Sequence, residues 1–154
     1  MRLSIVSLGA VIMLLGPVGS LVAQVNTVET ERQKFQGTWG LVSGEVDGKS
    51  VPDEQVKRGK LTFEGNKTTI ETPHQSKETI VATIAKLDPA KTPKELHWVR
   101  TTGPNPGTTM IAIYEFRGPD QYKICFDPSG QRPHKELSSK QGTGHVCHTW
   151  KRMK

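Results

Sequence analysis

From residue 38 onward, short segments of alternating apolar and polar residues follow one another, separated by Gly, Asn, Asp and Pro. A period of two places successive side chains on opposite faces of a β-strand, and the intervening residues supply the φ angles that close turns need. No long segment with a helical period returns after this point. The pattern predicts eight strands, at residues 38–46, 58–64, 67–73, 77–87, 94–100, 108–116, 120–127 and 145–152.

Eight strands of this length pair most simply with their neighbours in sequence, in antiparallel order. An open sheet would leave two unpaired edges, whereas closure satisfies every ladder. We therefore expect an all-β domain, a small eight-stranded up-and-down barrel, with a two-sheet β-sandwich as the alternative. The longest irregular stretch, residues 128–144, is expected to cross one mouth of the barrel.

The start of the chain has the profile of a secretory signal. Arg2 precedes an almost unbroken apolar stretch at residues 3–15, and no further charged side chain occurs before Glu29. We expect a signal peptide at residues 1–23, cleaved after Ala23, and export to the periplasm or the extracellular space.

A retained membrane anchor is the alternative, because residues 3–23 are uncharged and a membrane span needs about 20 mostly apolar residues. Only in that case would a membrane be a partner. The helix-breaking pair Gly16-Pro17 favours cleavage instead. The predicted organisation is a signal peptide at 1–23, an N-terminal segment at 24–36 with a short amphipathic helix at 27–36, and a barrel domain at 37–154.

The chain is basic, with 21 Lys and Arg against 15 Asp and Glu and a net charge of +6, which falls to +5 if Arg2 leaves with the signal. The cations are dispersed, with short clusters only at Lys57-Arg58-Lys60 and Lys151-Arg152-Lys154. An exported protein also meets little nucleic acid, so we expect no nucleic-acid partner. Weak electrostatic attraction to an anionic component of the cell envelope is a better interpretation of the positive net charge than nucleic-acid binding.

Five blocks of sequence together resemble a known family: FQGTWGLVSGEVDGKSVP at 35–52, KLTFEGNK at 60–67, IYEF at 113–116, YKICFDPSGQRP at 122–133 and the closing WKRMK. In order and spacing they are similar to a Planctomycetes uncharacterised domain family of exported, lipocalin-like bacterial proteins. The resemblance covers residues 35–152. It implies a lipocalin-like barrel and export, and it carries no established reaction or ligand.

The element Gly37-Thr38-Trp39 also resembles the Gly-x-Trp of lipocalins, where an indole closes one barrel end beneath a basic residue of the last strand. That resemblance implies Arg152 as the partner of Trp39. A guanidinium over an indole contributes about 0.5–2 kcal/mol and covers the apolar end. Candidate walls for a small ligand, which would alternatively only fill the core, are Trp39, Trp98, Tyr114, Tyr122 and Phe126.

Cys125 and Cys147 are the only cysteines, and export would permit a disulfide. Both fall on the more polar faces of the last two predicted strands. If these strands pair antiparallel, a register that places the two opposite each other allows a bridge; two free thiols are the alternative. A metal cluster is not expected, because His145 and Cys147 share a face, His148 points to the other, and a further donor such as His134 would be required.

No nucleophile motif, metalloprotease helix or phosphate loop occurs in the sequence. We therefore expect no catalytic residues, no metal and no cofactor, and an enzyme is only the third hypothesis. The first hypothesis is binding of a small apolar ligand inside the barrel. The second is recognition of an envelope polymer or a protein by the basic outer surface, including the loop residues Arg132, His134, Lys135 and Lys140.

Overall fold

A computed structural model describes residues 19–131 and 134–154, with side chains described from residue 27 onward. In chain order the described elements are α1 (Gly19–Phe35), β1 (Gly37–Val46), β2 (Lys49–Ser50), α2 (Asp53–Val56), β3 (Lys60–Glu64), β4 (Lys67–Glu71), β5 (Ile80–Asp88), β6 (Lys94–Arg100), β7 (Thr109–Phe116), β8 (Gln121–Phe126) and β9 (Val146–Arg152).

Eight of these strands close into an antiparallel barrel. Each strand from β3 to β8 pairs with the next one along the chain, and β1 completes the ring by pairing with β3 on one side and β9 on the other. The short β2 forms a hairpin with the end of β1. The predicted eight-stranded barrel is confirmed, and the β1–β9 ladder excludes the open sandwich because it removes both sheet edges.

The eight predicted strands are all present, with ends that differ by a few residues. The two-residue β2 and the one-turn α2 were not predicted, because elements so short show no period. The predicted short helix before the barrel is present as part of α1, whose described residues extend back to Gly19. Gly37, with a φ of +100°, turns the chain from α1 into β1.

Residues 1–18 lie outside the described part of the chain, and with them most of the predicted signal peptide at 1–23. Within the described range, no helix has both the length and the apolar character needed to cross a membrane.

Inward-facing side chains at every second strand position form the core. On β8 these are Tyr122, Ile124 and Phe126, as the alternation predicts. In β5 the alternation is interrupted, because a bulge between Ile84 and Lys86 moves the next inward side chain to Leu87.

One end of the barrel is plugged by α1. Phe35, the last residue of the helix, is fully buried there among aromatic rings. The ring centroids around it lie 4.8–5.3 Å away and belong to Phe63, Tyr114, Phe116 and Tyr122. The plug leaves the opposite end of the barrel, where the longer connections meet, as the place for a cavity.

Candidate ligand cavity

Arg152 covers the plugged end of the barrel. Its guanidinium lies 4.2 Å from the ring centroid of Trp39, which is fully buried. Nη1 donates a hydrogen bond to the carbonyl oxygen of Gln36 at 2.6 Å, and Nη2 donates to that of Lys34 at 2.9 Å. The last strand is thereby tied to the end of α1.

The opposite end contains a cavity of about 290 Å³. Its walls are largely apolar and include Leu61, Ile70, Ile80, Met110, Ile124 and Trp150. Its mouth is lined by three connections, those between β4 and β5, β6 and β7, and β8 and β9. Small-molecule sites have volumes of about 300–1,000 Å³ and mostly apolar walls, so this cavity is close to the lower end of that range.

Arg100, at the end of β6, supplies a positive charge to this cavity and is only 6% exposed. Its Nη1 donates to the carbonyl oxygen of Pro104, and its Nη2 lies 3.1 Å from the sulfur of Met110 and 3.4 Å from the carbonyl oxygen of Pro128. Its Nε has no hydrogen-bond partner, and no acidic side chain among the described residues pairs with it.

Burial lowers the pKa of Arg100 from its ordinary value, but an arginine remains protonated in a protein. A buried positive charge without a counter-ion is unfavourable, because it has lost its hydration. An anionic group entering the cavity would therefore stabilise this end of the barrel.

Trp98 lines the cavity and carries a second buried donor. Its indole N–H is buried and has no hydrogen-bond partner among the described residues. The ring itself is fixed by packing, with centroids 6.0 Å from Phe126 in an edge-to-face arrangement and 6.5 Å from Phe63 in a stacked one. The indole is thus a fixed apolar wall that carries one free polar group.

His148, on β9, lines the same cavity and is hydrogen-bonded to His74, with 2.8 Å between the two Nε2 atoms. Burial lowers the pKa of His148 to about 3, with a further lowering from His74, and burial lowers the pKa of His74 as well. Burial thus keeps both imidazoles neutral, and in the bond between them one ring donates and the other accepts.

The five aromatic residues predicted as ligand walls are divided between the two barrel ends. Trp98 and Phe126 line the cavity. Trp39, Tyr114 and Tyr122 do not; they lie at the plugged end, packed against Phe35 or against one another. These three residues do not line the cavity, because α1 inserts the side chain of Phe35 into this end of the barrel and the aromatic rings there pack around it.

The cavity's charged residue was missed in the sequence analysis, although the sequence contains a signal for it. Leu96, Trp98 and Arg100 share one face of β6, so the alternation puts a cation on the inward face next to two large apolar residues. Burial of such a residue is uncommon without a function or a partner, which makes it a candidate for ligand binding.

Cys125 and Cys147 lie directly opposite each other on the outer side of β8 and β9 and are joined by a disulfide. The bridge is buried, since the connection after β8 folds back over this face and packs Leu137 against it. Residues 128–144 therefore do not simply cross the mouth as expected. Pro128 lies at the mouth, and the later part of the connection covers the outer face.

Comparison of the chain with protein-family models, with curated proteins and with solved structures finds no match. The resemblance to a Planctomycetes family therefore stays a prediction. The cavity, its apolar walls and the cation of Arg100 are the features of the described chain that bear on function.

Proposed function

We propose that this protein is an exported, non-catalytic binding protein that holds one small, mostly apolar molecule with an acidic group inside its barrel. The observation that carries the proposal is Arg100, a cation with little solvent exposure and no acidic partner among the described residues, at the wall of an apolar cavity. The ligand's acidic group would supply the missing counter-ion.

A carboxylate suits this position. It would pair with the guanidinium of Arg100, whose Nε–H has no hydrogen-bond partner among the described residues. Charge-assisted hydrogen bonds of this kind are shorter and roughly twice as strong as neutral ones. The apolar part of the ligand would then pack against Ile70, Met110 and Trp150.

Export is proposed from the apolar N-terminal stretch, and the buried disulfide supports it. Disulfides persist in oxidising compartments and are rare where cellular thiols are kept reduced. The non-catalytic part of the proposal rests on the sequence, in which no nucleophile motif occurs.

Recognition of an anionic envelope polymer by the outer surface has weaker support. Of the basic loop residues that motivated it, Arg132 lies outside the described residues and His134 is only 6% exposed. Lys140 pairs with Glu136 at 2.7 Å, which leaves Lys135 as the exposed cation without an ion pair among the described loop residues. The basic surface of the loop is thus smaller than the sequence indicates.

The test is titration of the full-length chain with matched pairs of ligands, each a carboxylate and the alcohol of the same carbon skeleton, such as decanoate with decanol and benzoate with benzyl alcohol. Trp98 and Trp150 line the cavity, so their fluorescence reports occupancy, and calorimetry gives the affinity. We expect the carboxylate of at least one pair to bind more tightly than its alcohol.

Arg100→Met should reduce the affinity for that carboxylate about 10-fold to 100-fold, the effect of losing a hydrogen bond to a charged group, and should leave the affinity for the alcohol nearly unchanged. Arg117→Met is the matched control, since Arg117 is half exposed and lies after β7 at the plugged end. If no ligand pair changes the fluorescence, or if Arg100→Met keeps the preference for the carboxylate, the proposal is wrong.

A further inference from the structure

Two cysteines and a histidine meet on the outer face of β8 and β9, away from the ligand cavity. The Sγ atoms of Cys125 and Cys147 and a ring nitrogen of His134 all lie within 4.8 Å of one another, and all three residues are buried. Thiolate sulfur and imidazole nitrogen are the ligands that zinc prefers in structural sites. In the oxidised protein, however, both sulfurs are used by the disulfide.

The ring of His134 is held in the form that binds metals. Its Nδ1 lies 2.8 Å from the carbonyl oxygen of Glu136, so Nδ1 carries the proton and donates it, while Nε2 keeps a free electron pair. That Nε2 atom is buried and has no partner among the described residues. Metal-binding histidines are usually oriented by such a bond from the other ring nitrogen.

His145 lies next to His134, just outside the group of ligand atoms that are within 4.8 Å of one another, and is the candidate for a fourth donor. Its ring packs on that of His134 with 3.7 Å between centroids and 39° between the ring planes, and its Nε2 is likewise buried without a partner in the described chain. Buried polar atoms without hydrogen bonds are unfavourable, and a metal ion bound by both rings would satisfy both atoms.

An ion has a route to this cluster. A surface pocket of about 230 Å³ is lined by His134 and His145, with Glu136 and Ser138 at its rim. The carboxylate of Glu136 adds a negative charge at the entrance, although Lys140 partly neutralises it. The histidine rings are therefore reached from solvent without opening the barrel.

We propose that, when the disulfide is reduced, Cys125, Cys147, His134 and His145 bind one zinc ion. A dithiol reductant transfers two electrons and two protons to the bridge, which breaks the S–S bond, gives two thiols and leaves the reductant as a disulfide. Zn²⁺ then replaces the two thiol protons, which pass to solvent, and forms two Zn–S and two Zn–N bonds. This proposal is independent of the ligand cavity, because the cluster lies on the opposite face of the sheet.

The geometry requires movement of the sulfurs and of one ring. Zn–S bonds of about 2.3 Å and Zn–N bonds of about 2.0–2.1 Å put tetrahedral ligand atoms roughly 3.3–3.8 Å apart. The sulfurs, once released from each other, move apart, and the ring of His145 turns toward the three atoms that already lie within 4.8 Å of one another. The site would thus exchange one covalent crosslink between β8 and β9 for another.

The test uses the full-length chain and Co²⁺ as a spectroscopic substitute for Zn²⁺. The protein is reduced with a phosphine, desalted without oxygen, and titrated with Co²⁺, whose thiolate charge-transfer bands report bonds to sulfur; Zn²⁺ is then added in competition. We expect the reduced protein to bind one equivalent of either ion. The oxidised protein should bind none at the same concentration.

His134→Gln and His145→Gln should each weaken binding by the reduced protein about 10-fold or more, since each removes one ligand. The control is His97→Gln, because His97 lies on β6 and bonds to Glu95 instead. Circular dichroism of the reduced samples records whether the barrel persists. If it unfolds on reduction, zinc should restore the folded spectrum.

Three results would overturn the proposal. One is absence of cobalt–thiolate bands in the reduced wild-type protein. Another is metal binding that neither histidine variant weakens, because the two thiolates would then bind the ion without either histidine. The third is a reduced chain that binds zinc but stays unfolded, because the ligands would then not be those that the barrel brings together.

Discussion

Arg152 and Trp39 are cross-strand partners in the β1–β9 ladder that closes the barrel, and the guanidinium lies 4.2 Å from the indole centroid. The same guanidinium bonds to two backbone carbonyl groups at the end of α1 and lies 3.2 Å from a carboxylate oxygen of Asp120. One side chain therefore connects the closing ladder, the plugging helix and the turn between β7 and β8. Closure of the ring and plugging of its end depend on the same residue.

Arg152→Ala should destabilise the barrel by about 2–4 kcal/mol, the combined loss of a cation–π contact and of hydrogen bonds made by a charged donor. Urea unfolding measures the change. Arg152→Lys should recover only part of the loss, since an ammonium cannot stack on the indole and reach two carbonyl groups at once. Arg117→Ala is the control, and an equal effect of Arg152→Ala and Arg117→Ala would contradict this role.

Glu31 fixes α1 to the barrel. Its carboxylate is 3% exposed and lies 2.7 Å from Lys34 Nζ and 2.6 Å from Lys94 Nζ, and the Tyr114 hydroxyl donates to it at 3.3 Å. Burial raises the pKa of Glu31, but the two ammonium groups together outweigh that effect and hold its pKa below the ordinary value.

Glu31→Gln should therefore reduce stability by about 1–3 kcal/mol, because both lysines are partly exposed and water replaces some of the interaction. It should also speed hydrogen exchange in α1 more than in the strands. Glu29→Gln on the same helix is the matched control, since Glu29 is exposed. Equal exchange in the two variants would show that the helix is held by Phe35 alone.

The fold could be predicted because it is encoded locally. Alternation along each strand and the turn residues between strands are properties of a few consecutive residues, and eight such units leave closure as the simplest arrangement. The extent of α1 could not be predicted in this way. The sequence of its second half does not show that the carboxylate of Glu31 is buried, because its contacts with Lys94 and Tyr114 exist only once the barrel is formed.

The candidate site depended on relationships that no single segment contains. The 2.8 Å contact joins His148 to His74, which lies in a distant connection, and the sequence shows nothing that would pair them. The contact between the rings of His134 and His145 likewise exists because the connection between β8 and β9 folds back over the outer face of the sheet. Arg100 is the one cavity residue that a single segment of sequence indicates, because it lies on the same face of β6 as Leu96 and Trp98.

The disulfide between Cys125 and Cys147 should contribute about 3 kcal/mol, because it closes a loop with a sequence separation of 22 residues. Urea unfolding with and without reductant, in the presence of a chelator, measures this contribution. The variant with both Cys125→Ala and Cys147→Ala should have the same free energy of unfolding with and without reductant. That value should be close to the value of the reduced wild-type protein. A mass under non-reducing conditions that equals that of the fully reduced chain would rule the bridge out.

His148 should make stability depend on pH in a range where carboxylates do not titrate. Its pKa is about 3 in the folded protein because of burial and His74, against about 6.5 when unfolded. Below about pH 6.5 the unfolded chain therefore binds a proton that the folded chain does not, so stability falls as the pH falls and is constant above that value. The loss from this residue between pH 7.5 and pH 5 should be about 2 kcal/mol.

His148→Gln should remove this contribution and leave that of His74, so the variant's stability should fall less steeply than that of the wild type over the same range. Urea unfolding at intervals between pH 5 and 7.5 gives both slopes. His97→Gln, on the outer face of β6, should keep the wild-type slope. Identical slopes for His148→Gln and the wild type would mean that His148 is protonated inside the barrel. That result would contradict the assignment of His148 and His74 as a pair of neutral imidazoles.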